Sequence, residues 1–219
     1  MPSSISRRNF LGHGLGFGSL LLAACGRNPA AAARDALVPT PHLDDGDAHG
    51  VFPSKLPVTT KPECTVTSDN IEGPFYKRGA PARAVLVGDG DRGERLLLSG
   101  TVRTTECTPL ANAVLDIWQA DARGGYDNDG WGLRGTLATD AFGRWELHTI
   151  IPGRYLNGPQ YRPSHIHVKV SAPGFRPLTT QLYFDGDPYN DVDSFIHKSL
   201  IMKLRGSGAA KAADFDFVV

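Results

Sequence analysis

From Cys64 to the C-terminus the chain alternates short apolar runs with turn signals, and this spacing constrains the fold more than any other feature. Short runs rich in β-branched and aromatic residues, bounded by Gly, Pro and Asp, are typical of the strands of a β-sandwich. Long helical patterns are few. The sequence therefore predicts an all-β protein, a β-sandwich with short helices and loops. The predicted strands are Ala84–Val87, Arg95–Arg103, Ala113–Gln119, Arg134–Thr139, Arg144–Thr149, His165–Ser171 and Thr179–Phe184, with a short helix around Asp193–Leu200 and a last strand near Phe215–Val218.

The first 24 residues have the pattern of an export signal. The pair Arg7-Arg8 precedes the apolar run Leu15–Ala24, which is too short to span a bilayer. Leu-Ala-Ala then precedes Cys25, as in a bacterial lipobox, where the cysteine thiol becomes acylated. Plain signal-peptide cleavage that removes Cys25 is the alternative. Both interpretations predict export by the twin-arginine route to the periplasm or cell surface, and the first makes the lipid on Cys25 the membrane anchor.

Length and charge limit the domain organisation and the partners. The chain has 219 residues, which suits one domain plus a tail. Residues 25–60 are rich in Ala, Pro, Asp and Gly without a sustained period, so we expect a flexible, disordered linker. Residues 61–219 then form the domain. With 23 basic and 23 acidic residues, nothing in the charge favours a nucleic acid as partner.

Two cysteines lie within the predicted domain, Cys64 and Cys107. In an oxidising compartment they can pair. Closing the loop between them would stabilise the fold by roughly 3–4 kcal/mol if the effect is entropic. Two buried free thiols are the alternative.

A His-x-His pair begins the predicted strand His165–Ser171. Side chains alternate along a strand, so His165 and His167 point to the same face and can hold a metal together. Tyr126 follows two glycines in a loop, and Tyr155 follows a Pro-Gly turn. A phenolate is a hard, anionic ligand that suits Fe(III) better than Zn(II) or Cu(I). Each residue alone has an ordinary structural explanation, as a surface or turn tyrosine or a hydrogen-bonded histidine, but together they predict a metal site.

A series of short motifs follows one order along the chain. The motifs are Glu72-Gly73-Pro74-Phe75-Tyr76, Cys107-Thr108-Pro109-Leu110, Ala113-Val114-Leu115-Asp116-Ile117-Trp118-Gln119-Ala120, Gly125-Tyr126-Asp127, Leu133-Arg134-Gly135, Thr139-Asp140-Ala141-Phe142-Gly143, Pro152-Gly153-Arg154-Tyr155, Arg162-Pro163-Ser164-His165-Ile166-His167 and Thr180-Gln181-Leu182-Tyr183-Phe184. In this order they resemble the intradiol ring-cleavage dioxygenases, the family of catechol 1,2-dioxygenase and protocatechuate 3,4-dioxygenase.

The resemblance implies that residues 61–219 are a catalytic domain that uses O2 to cleave a catechol-type ring between its two hydroxylated carbons, giving a muconate-type diacid. It implies that Tyr155 leaves the metal when substrate binds and accepts a proton. Arg162 would stabilise negative charge on the substrate, with Gln181 as a nearby polar partner. Arg162 could instead anchor the histidine strand by a salt bridge, and both roles can hold at once. The implied cofactor is a non-haem Fe(III) with the ligands Tyr126, Tyr155, His165 and His167.

A different class of protein shares part of this pattern. Pro-Gly-x-Tyr and Thr-Asp-x-x-Gly also occur in β-sandwich modules that bind carbohydrate or mediate adhesion, so a surface-anchored binding module is the alternative function. Such a module has no use for the tyrosine and histidine set. The sequence leaves the identity of the catechol and a homo-oligomeric assembly open.

Overall fold

The structure, a computed structural model, describes residues 64–88, 90–206 and 210–219. All of these belong to one compact unit, Lys55–Val219. The predicted export signal, the lipidated Cys25 and the linker 25–60 lie outside the described residues. Within them, no helix has the length and the apolar content needed to cross a bilayer.

Nearly all regular structure in the described chain is β-strand, which confirms the predicted all-β class. One 3-10 helix, Lys198–Leu200, is the exception. The strands are β1 (Arg95–Arg103), β2 (Val114–Gln119), β3 (Arg134–Ala138), β4 (Arg144–Ile150), β5 (Leu156–Asn157), β6 (Gln160–Tyr161), β7 (His165–Ser171), β8 (Leu178–Phe184), β9 (Ile201–Met202), β10 (Ala210–Asp214) and β11 (Phe217–Val218).

Two sheets share one apolar core. The larger sheet has the order β3-β2-β7-β8-β9, antiparallel except where β9 runs parallel to β8. In the smaller sheet β1 pairs with β4 on one edge and with β10 and β11 on the other. Leu98 and Leu147 of the smaller sheet belong to the same buried cluster as Ile117 and Ile166 of the larger one. This arrangement is a β-sandwich, and β5 and β6 form a separate hairpin.

A disulfide joins the start of the described domain to the turn after β1. Cys64 and Cys107 are bonded, with their Cα atoms 5.2 Å apart. The backbone N–H of Cys64 also donates to the carbonyl of Thr105, at 2.8 Å. The segment that precedes β1 is thereby fixed to the sandwich.

The outer face of the larger sheet, the face turned away from the apolar core, is also covered where it carries β7. Ile166, Val168 and Val170 point into the core. His165 and His167 alternate with them and therefore lie on the outer face, yet they are only 2% and 1% exposed. The loops that cover this part of the outer face build the site described below.

The two-residue strands β5, β6 and β9 were not predicted, and three further regions differ from the sequence prediction. The stretch Ala84–Val87 is not a strand, because only Val85 forms a bridge, to His148, before the Gly88 N–H turns back to the Asp91 carboxylate. The predicted helix Asp193–Leu200 is reduced to its last three residues, because the Asp193 side chain accepts from the N–H of Phe195 and so closes a local turn. Strand β10 was missed because its alanines carry no strand signal, and the edge of β1 supplies its hydrogen bonds.

Candidate metal centre

The register of the larger sheet places four side chains in one row across the outer face. His167 on β7 lies opposite Trp118 on β2 and Gln181 on β8, and Trp118 lies opposite Arg134 on β3. Directly opposite residues of antiparallel strands point to the same face. The rings of Trp118 and His167 accordingly stack, with centroids 4.7 Å apart and planes at 10°.

His165 lies in the next row, opposite Tyr183. The Nδ1 of His165 donates to the carbonyl oxygen of Pro163 at 2.6 Å, since a carbonyl can only accept. Its Nε2 therefore carries the lone pair. Burial, together with the charge of Arg162, lowers the pKa of His165 to about 3. The ring is thus neutral near pH 7, the state in which imidazole ligates a metal.

Tyr126 lies in the loop between β2 and β3, where the Asp121 carboxylate accepts from the N–H groups of Arg123 and Gly125. Gly124 has φ +89°, and a Cβ there would lie 2.2 Å from the carbonyl oxygen of Arg154. Only glycine fits this close approach between the loop and the segment that carries Tyr155. The crossing brings the two tyrosine rings edge to face, with centroids 5.7 Å apart.

Buried polar atoms without partners mark this cluster. The hydroxyl of Tyr126 and both ring nitrogens of His167 are shielded from solvent and make no hydrogen bond. Burial, with Tyr155 nearby, raises the pKa of the Tyr126 phenol. Buried polar groups are normally paired, so such orphans indicate a missing partner. A cation could accept lone pairs from the Tyr126 oxygen and from one ring nitrogen of His167, and would so satisfy two of these three atoms.

The structure brings all four predicted ligands together. Ring centroids are 5.6 Å apart for Tyr155 and His165, 4.9 Å for His165 and His167, and 6.2 Å for Tyr126 and His167. The described residues hold no cluster of three or more His, Cys, Asp or Glu side chains suited to a metal. Two phenols and two imidazoles are therefore the candidate donor set, and hard phenolate oxygen would fit Fe(III).

Arg162 borders the cluster and is held from several sides. Its Nη1 lies 3.4 Å from both the Tyr155 hydroxyl and the His165 Nε2. Its Nε donates to the Asp193 carboxylate at 2.8 Å, in an ion pair whose side chains are 5% and 4% exposed. Burial opposes its charge, but the hydrogen bond to Tyr155 and the neighbouring acidic groups raise the pKa of Arg162 overall.

Gln181, which was predicted as a nearby polar partner, is hydrogen-bonded to Arg162. Its Oε1 accepts from the Arg162 Nη2 at 3.0 Å and from the Tyr183 hydroxyl at 3.1 Å. Its Nε2 donates to the carbonyl of Ile71 at 2.8 Å. Gln181 thus links the arginine to the segment that precedes Phe75.

Sequence reasoning missed three side chains of the site. Tyr183 could have been found, because it alternates with Gln181 on a strand and must share its face. Asp193 had no local signal, since its pairing with Arg162 spans 31 residues. Phe75, which stacks on Tyr126 at 4.2 Å, was quoted only as part of a motif.

Two cavities of the described domain border the cluster. The larger, about 740 Å³, runs past Tyr126 and is lined both by apolar side chains such as Trp131 and by polar ones such as Gln119. The smaller, about 110 Å³, reaches Arg162 beside Tyr161 and Phe195. Each cavity touches one part of the site, and the smaller one is lined by Arg162, which was predicted to act on the substrate.

The similarity to known proteins lies in the part of the chain that carries this site. A family model described as dioxygenase matches residues 71–219. A chlorocatechol 1,2-dioxygenase of Rhodococcus opacus is 39% identical, over 58% of this chain and 60% of its own length. A catechol 1,2-dioxygenase of Acinetobacter lwoffii is also 39% identical, over 56% of this chain and 53% of its own length. The chain thus spans little more than half the length of these relatives.

One solved structure covers nearly the same extent as the described domain. It is the dioxygenase domain of a dioxygenase carbohydrate-binding protein fusion from the cellulolytic bacterium Streptomyces sp. SirexAA-E. It is 44% identical, with a TM-score of 0.67, and the match covers 71% of this chain and 98% of that one. These similarities favour the catalytic interpretation of the tyrosine and histidine cluster over the binding-module alternative.

Proposed function

The chain belongs to the intradiol ring-cleavage dioxygenase family, and from this premise we propose that it cleaves a catechol-type ring between its two hydroxylated carbons. Both atoms of O2 enter the product, a muconate-type diacid. The observation that carries the proposal is the buried cluster of two phenols and two imidazoles, in which the Tyr126 hydroxyl and the His167 nitrogens have no partner.

The metal of this proposal is a non-haem Fe(III), in keeping with the iron that the family uses. The residues that would hold it are Tyr126, Tyr155, His165 and His167. When bound, the ferric ion would withdraw electron density from a chelating catecholate and so activate the ring toward O2. The neutral state of His165 and the unpartnered donor atoms of Tyr126 and His167 support this ligand set.

Tyr155 is the residue we assign to proton transfer. A catechol must lose protons to bind as a dianion, and a phenolate oxygen displaced by the substrate can accept one of them. The Arg162 Nη1 lies 3.4 Å from the Tyr155 oxygen, so the guanidinium can donate to that oxygen and hold the displaced side chain. The half-buried Tyr155 follows a Pro-Gly turn at the edge of the cluster.

Arg162 is the residue we assign to charge stabilisation. Asp193, Gln181 and Tyr183 hold the guanidinium in place before any substrate arrives. A fixed, buried positive charge stabilises negative charge that develops on the ring better than a mobile one, because it needs no reorientation during the reaction. This role and the anchoring role therefore depend on the same contacts.

Oxygen uptake tests the proposed activity. Iron-loaded protein should consume one O2 per molecule of catechol, hydroxyquinol or protocatechuate, whichever it accepts, and mass spectrometry with labelled O2 should find both oxygen atoms in a muconate-type product. His165→Ala should abolish uptake. His148→Ala is the matched control, because His148 is exposed and bonded to Glu146 away from the site. Cleavage of a ring bond other than the one between the two hydroxylated carbons would refute the proposal. So would the absence of O2 uptake by iron-loaded protein with all three substrates.

Export with a lipid anchor is a second part of the proposal. The support is the twin-arginine pair, the lipobox before Cys25 and a disulfide in the described domain, which suits an oxidising compartment. In a bacterial host with the twin-arginine pathway, the full chain should partition with membranes. Cys25→Ser should release it from them, and Arg7→Lys with Arg8→Lys should keep it in the cytoplasm. Membrane association that survives Cys25→Ser would contradict the anchor.

A further inference from the structure

Arg134 is a buried cation that the proposed reaction does not use. It begins β3 on the outer face, opposite Trp118, and is 1% exposed. In the described part of the chain no ion pair involves it. The carboxylate of Asp127 accepts instead from the N–H groups of Gly130 and Gly132. A buried charge without a direct counter-charge is costly, so its presence calls for a reason.

The hydrogen bonds of Arg134 enclose Tyr126. Its Nε donates to the carbonyl oxygen of Asp127 at 3.0 Å, and Asp127 directly follows Tyr126. Its Nη1 donates to the carbonyl oxygen of Phe75 at 2.7 Å, and the Phe75 ring stacks on the Tyr126 ring at 4.2 Å with planes at 14°. One guanidinium thus holds both the backbone that carries Tyr126 and the ring that packs against it.

Two polar groups of these residues make no hydrogen bond. The Arg134 Nη2 is buried without a partner, and so is the hydroxyl of Tyr126. A positive charge favours the ionised form of a neighbouring phenol, and the ionised form of Tyr126 is the one that would ligate a metal.

We propose that Arg134 is a positioning residue for Tyr126, which it aligns through the Asp127 and Phe75 carbonyls, and that its charge compensates the Tyr126 oxygen when that oxygen is a phenolate ligand. The second half of this inference rests on the proposed function, since it requires a metal bound by Tyr126. The first half concerns the fold alone. Partners one step removed from a metal fix the orientation of its ligands and tune their donor strength.

Hydrogen exchange on iron-free protein tests the positioning. Arg134→Met and Arg134→Lys should both speed exchange in a peptide covering 122–128, the lysine less because it keeps a charge and one donor. Exchange in β1 and β4 should stay unchanged. Arg95→Met is the matched control, because Arg95 also donates to two loop carbonyls, of Gly88 and Asp91, which belong to a different loop. Unchanged exchange around Tyr126 in the lysine and methionine variants would overturn the inference.

Visible spectra of iron-loaded protein test the charge. Without a nearby cation the phenolate electrons lie higher in energy, so Arg134→Met should move the tyrosinate-to-iron band to longer wavelength, and Arg134→Lys should move it less. Loss of iron to a chelator should be about 10 to 100 times faster in Arg134→Met. An unshifted band with normal iron retention would overturn this half. A wild-type protein that binds no iron would refute the proposed function, and the exchange experiment would still decide the positioning. If Arg134→Met does not fold, Arg134→Lys decides both.

Discussion

The Nε of Arg162 and the Oδ2 of Asp193 lie 2.8 Å apart, and both side chains are almost completely buried. The arginine that we assign to charge stabilisation is therefore also half of a structural ion pair. Removing one member of a buried pair strands the other charge, at a cost of about 3–5 kcal/mol. Loss of activity in a single variant would then mix a catalytic and a structural effect.

A pair of variants separates the two effects. Arg162→Ala should lower both the melting temperature and the turnover per bound iron, the latter by about two to four orders of magnitude. The double variant Arg162→Ala with Asp193→Ala should regain much of the melting temperature, because no buried charge is left unpaired, but none of the turnover. Iron content, melting temperature and oxygen uptake are to be measured on the same preparation.

One outcome for these two variants would contradict the catalytic role of Arg162. If turnover per bound iron stays near normal in the double variant, Arg162 has only the anchoring role. Asp69→Ala with Arg176→Ala is the control, since that ion pair is exposed and the change should alter neither quantity measurably.

The disulfide gives a second prediction. Cys64→Ser with Cys107→Ser should lower the free energy of unfolding by roughly 2–5 kcal/mol, because the unfolded chain regains the freedom of the open loop. Denaturant unfolding of oxidised and variant protein measures the difference. Intact mass of exported protein before and after reduction should differ by two protons. Two free thiols in native exported protein would contradict the pairing.

Much of the fold and of the candidate site could be predicted from the sequence because the signals involved are local. Alternation along β7 places His165 and His167 on one face, and the structure has them there. The bounds of β1 match the prediction residue for residue. Tyr126 and Tyr155 were predicted on loops, as the structure has them, and ligand chemistry together with the family resemblance joined them to the histidines.

What the sequence could not supply depends on contacts between distant segments. Asp193 reaches Arg162, and Arg134 reaches the carbonyl of Phe75, only after the sheets have formed. Neither pairing follows from periodicity or turn chemistry, because both bonds end on loops whose paths are set by packing. The same is true of β10, whose alanines form a strand only because β1 offers an unpaired edge.

The half-buried carboxyl of Asp116 predicts a pH dependence. Its Oδ2 accepts from the Tyr76 hydroxyl at 2.8 Å, and burial raises its pKa above the ordinary value despite that hydrogen bond and the charge of Lys169. The folded state therefore holds the proton more tightly than the unfolded state. Ionisation of Asp116 thus destabilises the fold above its folded pKa, and this penalty fades as pH falls toward the unfolded value of about 3.9.

Asp116→Asn tests this sign. The variant should melt at a higher temperature than wild type near pH 7, because its side chain carries no charge to bury and its oxygen can still accept from Tyr76. The advantage should shrink as pH is lowered toward 4. Asp69→Asn is the control, an exposed carboxylate paired with Arg176. An Asp116→Asn variant that is less stable than wild type at pH 7 would show that the charge is compensated in the fold.

Tyr126→Phe should weaken iron binding and stabilise the iron-free protein. The Tyr126 hydroxyl is buried and makes no hydrogen bond, so its removal relieves a desolvation cost of about 1–3 kcal/mol in iron-free protein. Iron-free Tyr126→Phe should therefore melt above iron-free wild type. With iron added, the order should reverse, since wild type gains a ligand bond that the variant lacks and only wild type takes up the full complement of iron.

Tyr161→Phe controls for the substitution itself, because Tyr161 is 42% exposed and its hydroxyl does not belong to the cluster. That variant should follow wild type in both the iron-free and the iron-loaded state. Melting curves with and without iron, together with iron analysis, measure all three proteins. If Tyr126→Phe is destabilised without iron, its hydroxyl has a partner in the fold. If it keeps the iron and the colour of wild type, Tyr126 is not a ligand. The two proteins are expected to change order in melting temperature on addition of iron only if the Tyr126 oxygen has no hydrogen-bond partner in the iron-free fold and binds the metal when iron is present.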